Sequence, residues 1–240
     1  EKVREPRSVA VSVVKAIGVN KDGFREVLGV DVITTEDGAG WLQFLRSLKA
    51  RGLTGVQLAV SDDHYGLVDA IASVLGCTWQ RCRTHFARNV LTRVPKSAQG
   101  MVAALVRSIF AQASPDEVWA QHARVVDQLR DRFPEAAQLL EDAREDVLAF
   151  TGFPQTHWRQ IWSNNPLERL NKEVRRRTDV VGIFPNRASV IRLAGAVLAE
   201  QHDEWMVTRR YMSIESLAKA KVVVIEGDAK EVMNELEAAS

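Results

Sequence analysis

Two aspartates follow a short apolar segment near residue 60. The segment "GVQLAV" at 55–60 predicts a strand, and Asp62 and Asp63 come almost directly after it. In an open α/β sheet, ligands bind beyond the carboxyl ends of the strands, where a carboxylate can hold a hard cation such as Mg²⁺. The alternative is that one aspartate caps a helix near Leu67 while the other is solvated. Position alone favours this structural alternative.

A second acid lies in the basic segment "SNNPLERLNKEVRRRT" at 163–178. The segment predicts a helix with Asn165 as N-cap, Pro166 as first residue and Glu168 as third, which approximates a capping box. Glu168 also has Lys172 four residues on, a favourable helical ion pair. Both features are structural, yet a glutamate fixed in a first helical turn is also a rigid metal ligand.

Helical geometry separates Glu168 from the second glutamate of this segment, Glu173. At about 100° per residue the two lie on opposite flanks of an apolar stripe, and Glu173 has Arg177 as an ion-pair partner at i+4. Glu168 is therefore the better candidate for chemistry. The stripe consists of Leu167, Leu170 and Val174. Candidate phosphate-binding residues on the same helix are Arg169, Lys172, Arg175 and Arg176.

Two further groups have a structural and a functional interpretation. Cys82 and His85 form a Cys-x-x-His pair, but zinc sites need three or four protein ligands, so we expect a structural pair at a strand–helix corner. Trp158 and Trp162 precede the basic helix and could stack on nucleic-acid bases. Such large rings are more often core residues, which is the interpretation we favour.

Composition limits the class of protein without selecting one. The chain has 240 residues, 46% of them hydrophobic, and a net charge of +1, so any basic surface must be local. No apolar run reaches the roughly eighteen residues that span a bilayer, and we expect no membrane contact. Two cysteines indicate a reducing cytoplasm. Walker, dinucleotide-binding and serine-hydrolase motifs are absent from the sequence.

The order of predicted elements indicates an α/β fold with a mixed sheet flanked by helices. Strands are predicted at 8–19, 24–32, 55–60 and 78–82, an Asp-Gly turn at 20–23, and helices at 41–51, 67–75 and 187–206. An all-helical block from about 85 to 150 interrupts this layer. We divide the chain into a first core part at 1–84, an insertion at 85–160, a second core part at 161–220 and a tail at 221–240, itself predicted as a strand and a short helix.

Four segments resemble the mutator-type transposases of bacterial insertion sequences: "VSDDHYGLVDAI", "CTWQRCRTHFARNVL", "HWRQIWSNNPLERLNKEVRRRTDVVGIFPN" and "DEWMVTRRYMS". The resemblance implies a ribonuclease-H-like fold with a DDE triad and a helical insertion between its second and third acids. It maps the second acid to Asp62 and the third to Glu168, both as catalytic metal ligands. The family's Cys-x-x-His pair falls on Cys82 and His85, and its Asn-x-x-Glu-Arg motif begins at Asn165.

The resemblance also implies cofactors and partners. Two Mg²⁺ ions, for which Mn²⁺ can substitute, would serve cleavage of the element's DNA ends and strand transfer into target DNA. Double-stranded DNA and a second copy of the chain are the expected partners, in the bacterial cytoplasm at the nucleoid. The first acid of the triad would lie about four residues before Glu1. Alternatives are an inactive remnant that retains DNA binding or subunit pairing, and a different ribonuclease-H-like nuclease.

Overall fold

The computed structural model describes residues 1–5, 7–34 and 38–220. The strand and helix predicted in the tail at 221–240 lie outside these residues. The described strands are β1 (Lys2–Glu5), β2 (Arg7–Ala10), β3 (Ser12–Val19), β4 (Arg25–Ile33), β5 (Leu58–Ser61), β6 (Thr78–Arg81) and β7 (Ile183–Phe184). All four predicted strands are present, but the one predicted at 8–19 is divided into β2 and β3 at Val11.

Helices account for most of the remaining elements. They are α1 (Gly38–Ala50), α2 (Tyr65–Ala70), α3 (Arg83–Thr92), α4 (Lys96–Ile109), α5 (Pro115–Arg130), α6 (Pro134–Asp142), α7 (Arg144–Leu148), α8 (Trp158–Ile161), α9 (Asn165–Val181) and α10 (Arg187–Val207). A π-helical turn, Ile71–Leu75, continues α2, so the helix predicted at 67–75 is irregular in its second half. Residues 214–220 are helical as well.

The strands pair in both directions within three small sheets. β1 lies between β2, which is antiparallel to it, and β7, which is parallel. β3 and β4 form an antiparallel hairpin, and β5 and β6 pair in parallel. The hairpin turn is the predicted one, with Gly23 at φ 84°. The pairing is thus mixed, as expected, while the ribonuclease-H-like arrangement of the strands stays a prediction.

The β3–β4 hairpin lies between two pairs of helices. Because successive side chains of a strand point to opposite faces, neighbouring residues of β3 enter different cores. Val14 packs with Phe44 of α1 and with the π-helical turn. Ile17 packs on the other face with Leu170 of α9 and Leu198 of α10. The helix that carries Glu168 is therefore anchored by its apolar side to the hairpin.

The helical block has a hydrophobic core of its own, built from side chains between Phe86 and Trp158. Within it, the Ser114 hydroxyl caps α5 by accepting a hydrogen bond from the Glu117 N–H (3.3 Å), and Pro134 begins α6. Gln80 of β6 reaches into this block and is fully buried. β6 therefore contacts both β5 and the helical block, and the Cys-x-x-His pair begins directly after it.

Candidate active site

Asp62 follows the last residue of β5, and its carboxylate has two partners. Its Oδ1 lies 2.6 Å from Nδ1 of His85 and accepts a hydrogen bond from Nδ2 of Asn164 at 3.2 Å. The side chain is 50% exposed, which leaves room for a ligand. The capping alternative is wrong, because α2 begins at Tyr65 with His64 in the N-cap position and no side-chain capping bond.

The neighbouring aspartate, Asp63, has a different environment. Its Oδ2 lies 2.8 Å from the guanidinium of Arg81, a nearly buried residue of β6. The Arg81 guanidinium also stacks on the ring of Phe86, 5.2 Å from its centroid. Asp63 therefore forms a structural ion pair, whereas the carboxylate of Asp62 remains accessible to a ligand.

Glu168 lies in the first turns of α9, 27% exposed. Its Oε1 is 3.4 Å from Nε2 of His85 and 3.8 Å from the guanidinium of Arg88. Neither contact has hydrogen-bond geometry, so Oε1 is a buried acceptor without a hydrogen-bond partner. Leaving such an oxygen unpaired costs on the order of 1–3 kcal/mol, so Oε1 is a candidate ligand atom.

His85 joins the two acids. One ring nitrogen faces Asp62 and the other faces Glu168, although the two carboxylates come from elements far apart in sequence. The structure thus brings the two predicted catalytic acids to opposite edges of one imidazole. The sequence predicts a structural role for His85 with Cys82 alone and does not predict its position between the acids.

The start of α9 differs from the prediction by one residue. The N-cap is Asn164, not Asn165; Pro166 is the second helical residue, and no side-chain capping bond forms. The backbone N–H of Glu168 donates to the Asn164 carbonyl at 3.1 Å. The predicted capping box is therefore absent.

The two asparagines instead connect α9 to the start of α3. The Asn164 amide oxygen accepts a hydrogen bond from the Cys82 thiol at 3.0 Å, while its amide nitrogen donates to Asp62. The Asn165 side chain accepts from the Thr84 hydroxyl at 3.2 Å. These bonds set the position of Glu168 relative to Asp62, which a local capping interaction would not do.

The ion pairs of α9 agree with the prediction at Glu173 and differ at Glu168. Glu173 accepts hydrogen bonds from Arg176 (2.7 and 2.9 Å) and from Arg177 (2.9 Å). These bonds, the Arg176 bond first, lower the pKa of the Glu173 carboxyl to about 2. The predicted pair between Glu168 and Lys172 does not form in the described structure; Glu168 turns toward α3 instead.

The candidate phosphate-binding residues fall into two groups. Arg169, Lys172 and Arg175 are exposed, and within the residues that the structure describes none of them has a carboxylate within ion-pair distance. Arg176 is exposed too, but its guanidinium is held by Glu173. The first three are thus free to meet an anionic partner, whereas Arg176 would have to share its charge.

The two tryptophans are core residues, as the favoured interpretation predicted. Trp158 is buried and its ring meets Phe150 edge-on at 5.2 Å. Trp162 packs edge-on against Phe110 at 5.8 Å, and the Arg83 guanidinium covers its ring at 4.3 Å. Trp158 is thus a core residue, and Trp162 is partly buried against the same core.

Cys82 is fully buried, and its Sγ lies 3.3 Å from Nδ1 of His85. Sequence reasoning found this pair but missed Asn164 and Arg88. Arg88 follows His85 by three residues and so lies on the same face of α3, a spacing that the sequence does show. No comparable local signal exists for Asn164, because its partners are distant in sequence.

Comparison with known proteins identifies the family. Residues 1–208 match the family described as "Transposase, Mutator family", and the chain belongs to that family. The transposase for insertion sequence element IS1081 of Mycobacterium tuberculosis is 57% identical over 225 residues, which are 93% of this chain and 54% of that protein. The resemblance inferred from the sequence motifs is therefore confirmed.

More distant relatives agree. The transposase for ISRM5 of Rhizobium meliloti is 40% identical and that for IS256 in transposon Tn4001 of Staphylococcus aureus is 39% identical; the matches cover 94% and 89% of this chain but 57% and 56% of those proteins. The chain thus spans a little over half the length of these relatives. None of the helices in the described part of the chain has the length and apolar character needed to cross a membrane.

Proposed function

We propose that this chain carries the catalytic portion of a DDE-type DNA transposase with a ribonuclease-H-like core. It would cleave DNA at the ends of an insertion sequence and transfer the freed strands to target DNA. Membership of the Mutator transposase family supports the general role. The observation that carries the finer proposal is the approach of Asp62 and Glu168 to the two ring nitrogens of His85.

The residues present fit a pair of hard cations. Asp62 offers a half-exposed carboxylate, and Glu168 offers a buried oxygen with no hydrogen-bond partner. Mg²⁺ takes oxygen ligands of this kind, keeps several waters, and can be replaced by Mn²⁺. When bound, such ions activate the attacking oxygen and stabilise the leaving oxygen of an in-line phosphodiester displacement.

The other residues of the site position these two acids. Asn164 donates to Asp62 and fixes the rotation of its carboxylate, while its amide oxygen is held by Cys82. Arg88 adds positive charge beside Glu168. A carboxylate held by such contacts keeps its orientation before substrate arrives, which is what precise in-line chemistry requires.

Double-stranded DNA is the proposed partner, as the element's ends and as target. Arg169, Lys172 and Arg175 would contact its phosphates, because exposed cations without internal partners supply most of the sequence-independent affinity for DNA. A homodimer on DNA, located at the nucleoid of the bacterial cytoplasm, completes the proposal and rests on the family resemblance.

The test compares matched pairs of acids in the full-length protein. Asp62→Asn and Glu168→Gln should each reduce Mg²⁺-dependent cleavage of element-end DNA by more than about 100-fold. Loss of a residue that only supports a metal ligand reduces activity by roughly 10- to 100-fold, so a larger loss indicates a direct ligand. Glu173→Gln, on the opposite flank of α9, should retain cleavage. Retained cleavage in either test variant would remove that residue from the site.

A second outcome distinguishes the inactive alternative. If the full-length protein binds element-end DNA with a steep salt dependence but cuts it with neither Mg²⁺ nor Mn²⁺, the chain is a DNA-binding remnant and the catalytic proposal fails.

A further inference from the structure

One group of side chains at this site suits a softer ion than Mg²⁺. Nδ1 of His85, Sγ of Cys82 and a carboxylate oxygen of Asp62 all lie within 4.8 Å of one another. No other group of three or more such ligands occurs in the described ranges of the chain. Thiolate and imidazole are the ligands that select Zn²⁺ and related ions, whereas Mg²⁺ avoids sulfur.

We propose that Asp62, Cys82 and His85 form a binding site for a thiophilic divalent cation, with Zn²⁺ as the natural occupant and Cd²⁺ as its close chemical analogue. The proposal goes beyond the transposase chemistry, which needs only oxygen ligands. It also goes beyond the sequence, where a lone Cys-x-x-His pair lacks the third protein ligand that such sites require.

The distances are close to those of a tetrahedral site. Bonds of about 2.0–2.3 Å to nitrogen, oxygen and sulfur place neighbouring ligand atoms roughly 3.4–3.6 Å apart. The Cys82 Sγ to His85 Nδ1 distance is already 3.3 Å. The Asp62 Oδ1 to His85 Nδ1 distance of 2.6 Å must widen by about one ångström. The half-exposed side of Asp62 leaves space for this change, which the 3.2 Å bond from Asn164 must follow.

The surroundings supply what a bound ion needs. In the tautomer that leaves Nδ1 free to bind, the Nε2–H of His85 lies on the side of Glu168, whose Oε1 is 3.4 Å from Nε2 without hydrogen-bond geometry. A carboxylate behind a metal-bound histidine is a common outer-shell arrangement that fixes the ring. Cys82 is the N-cap residue of α3, so a metal-bound thiolate lies at the positive end of that helix. The exposed side of Asp62 leaves a fourth position for water.

Binding has a defined proton balance. The Cys82 thiol, which donates to Asn164 in the described structure, loses its proton to solvent when sulfur binds the ion. The Asn164 side chain then keeps only its bond to Asp62. No oxidation or reduction is involved.

The site has a consequence for catalysis that rests on the proposed function. Asp62 belongs to both sets of ligands, so a Zn²⁺ ion bound with Cys82 and His85 withdraws it from the Mg²⁺ site. Zn²⁺ is therefore expected to inhibit Mg²⁺-dependent cleavage in competition with Mg²⁺. The binding proposal itself does not depend on that activity.

The chain offers a matched control, since it has two cysteines. Titration of the 240-residue chain with Cd²⁺ should produce an ultraviolet thiolate-to-cadmium absorption band that saturates at one equivalent. Cys82→Ser should abolish the band, and Cys77→Ser should leave it intact because Cys77 lies outside the cluster. A band that is absent from the unmodified chain, or that survives in Cys82→Ser, would overturn the proposal.

Further variants keep the test decisive if Cys82→Ser fails to fold. His85→Gln should weaken Cd²⁺ binding at least tenfold while the thiolate remains, and Glu168→Gln should weaken it roughly 10- to 100-fold through the lost outer-shell contact. Unchanged affinity in His85→Gln would contradict the site. A full-length protein that binds Cd²⁺ through Cys82 but cleaves no DNA would refute the proposed function alone.

Discussion

Gln80 links β6 to the helical block, so its replacement tests how much this link contributes to stability. Its amide nitrogen donates to the Arg81 carbonyl at 2.8 Å and to the Val147 carbonyl at 2.9 Å. Its amide oxygen accepts from the Phe150 N–H at 2.6 Å. One fully buried side chain thus joins β6 to the core of the helical block.

Gln80→Met keeps the length of the side chain and removes all three bonds. The buried Phe150 N–H, left without a partner, costs about 1–3 kcal/mol, and each of the other two bonds contributes about 0.5–1.5 kcal/mol. The larger apolar transfer energy of methionine offsets part of this, so we expect a net loss of about 2–4 kcal/mol in the free energy of unfolding. At about 2–4 °C per kcal/mol for a chain of this size, the midpoint of thermal unfolding should fall by roughly 5–15 °C.

The assay is urea and thermal unfolding followed by circular dichroism, with Gln138→Met as control. Gln138 is exposed on α6 and bonds only its neighbour Asp142 at 2.7 Å, so its replacement should change stability by less than about 0.5 kcal/mol. If Gln80→Met were as stable as that control, the Gln80 bonds would contribute nothing to the free energy of unfolding, which would refute this reasoning.

Two further predictions concern pH and salt. Burial lowers the pKa of the fully buried His122, so the folded state resists protonation of this side chain while the unfolded state accepts it. The free energy of unfolding should therefore fall as the pH drops below about 6.5, by at most about 1.4 kcal/mol per pH unit. Urea unfolding at pH 7.5 and 5.5 measures this fall, and His122→Gln should reduce it. In DNA binding, Lys172→Ala and Arg175→Ala should each reduce the slope of log affinity against log salt by about 0.9. Arg176→Ala should reduce the slope by less, because Glu173 already holds the Arg176 guanidinium. Equal slopes in all three variants would contradict the distinction between paired and unpaired cations.

The sequence predicts the local structure well because its signals are local. The apolar stripe of α9 is confirmed in Leu170 and Val174, which are both 3% exposed. The tail and the division of the chain into domains stay predictions, as does the ribonuclease-H-like arrangement.

The geometry of the site depended on contacts that no local pattern contains. Spacing predicts a capping box at Asn165, but the side chain of the neighbouring Asn164 bonds Cys82 and Asp62 and makes no capping bond to the helix. Glu168 likewise turns to His85 rather than to its helical neighbour Lys172. Tertiary partners displaced both local pairings, and both displacements lie at the candidate active site, where function commonly overrides local preference.

Whether Asp62 and Glu168 belong to one metal site is most directly tested by Mn²⁺ binding to the full-length protein. Isothermal titration would compare Asp62→Asn, Glu168→Gln and the double variant, with Glu173→Gln as control. A shared site predicts that each single variant loses affinity, that the control does not, and that the double variant loses clearly less than the two single losses combined. Unchanged Mn²⁺ affinity in either single variant, or losses that simply add, would contradict a shared site.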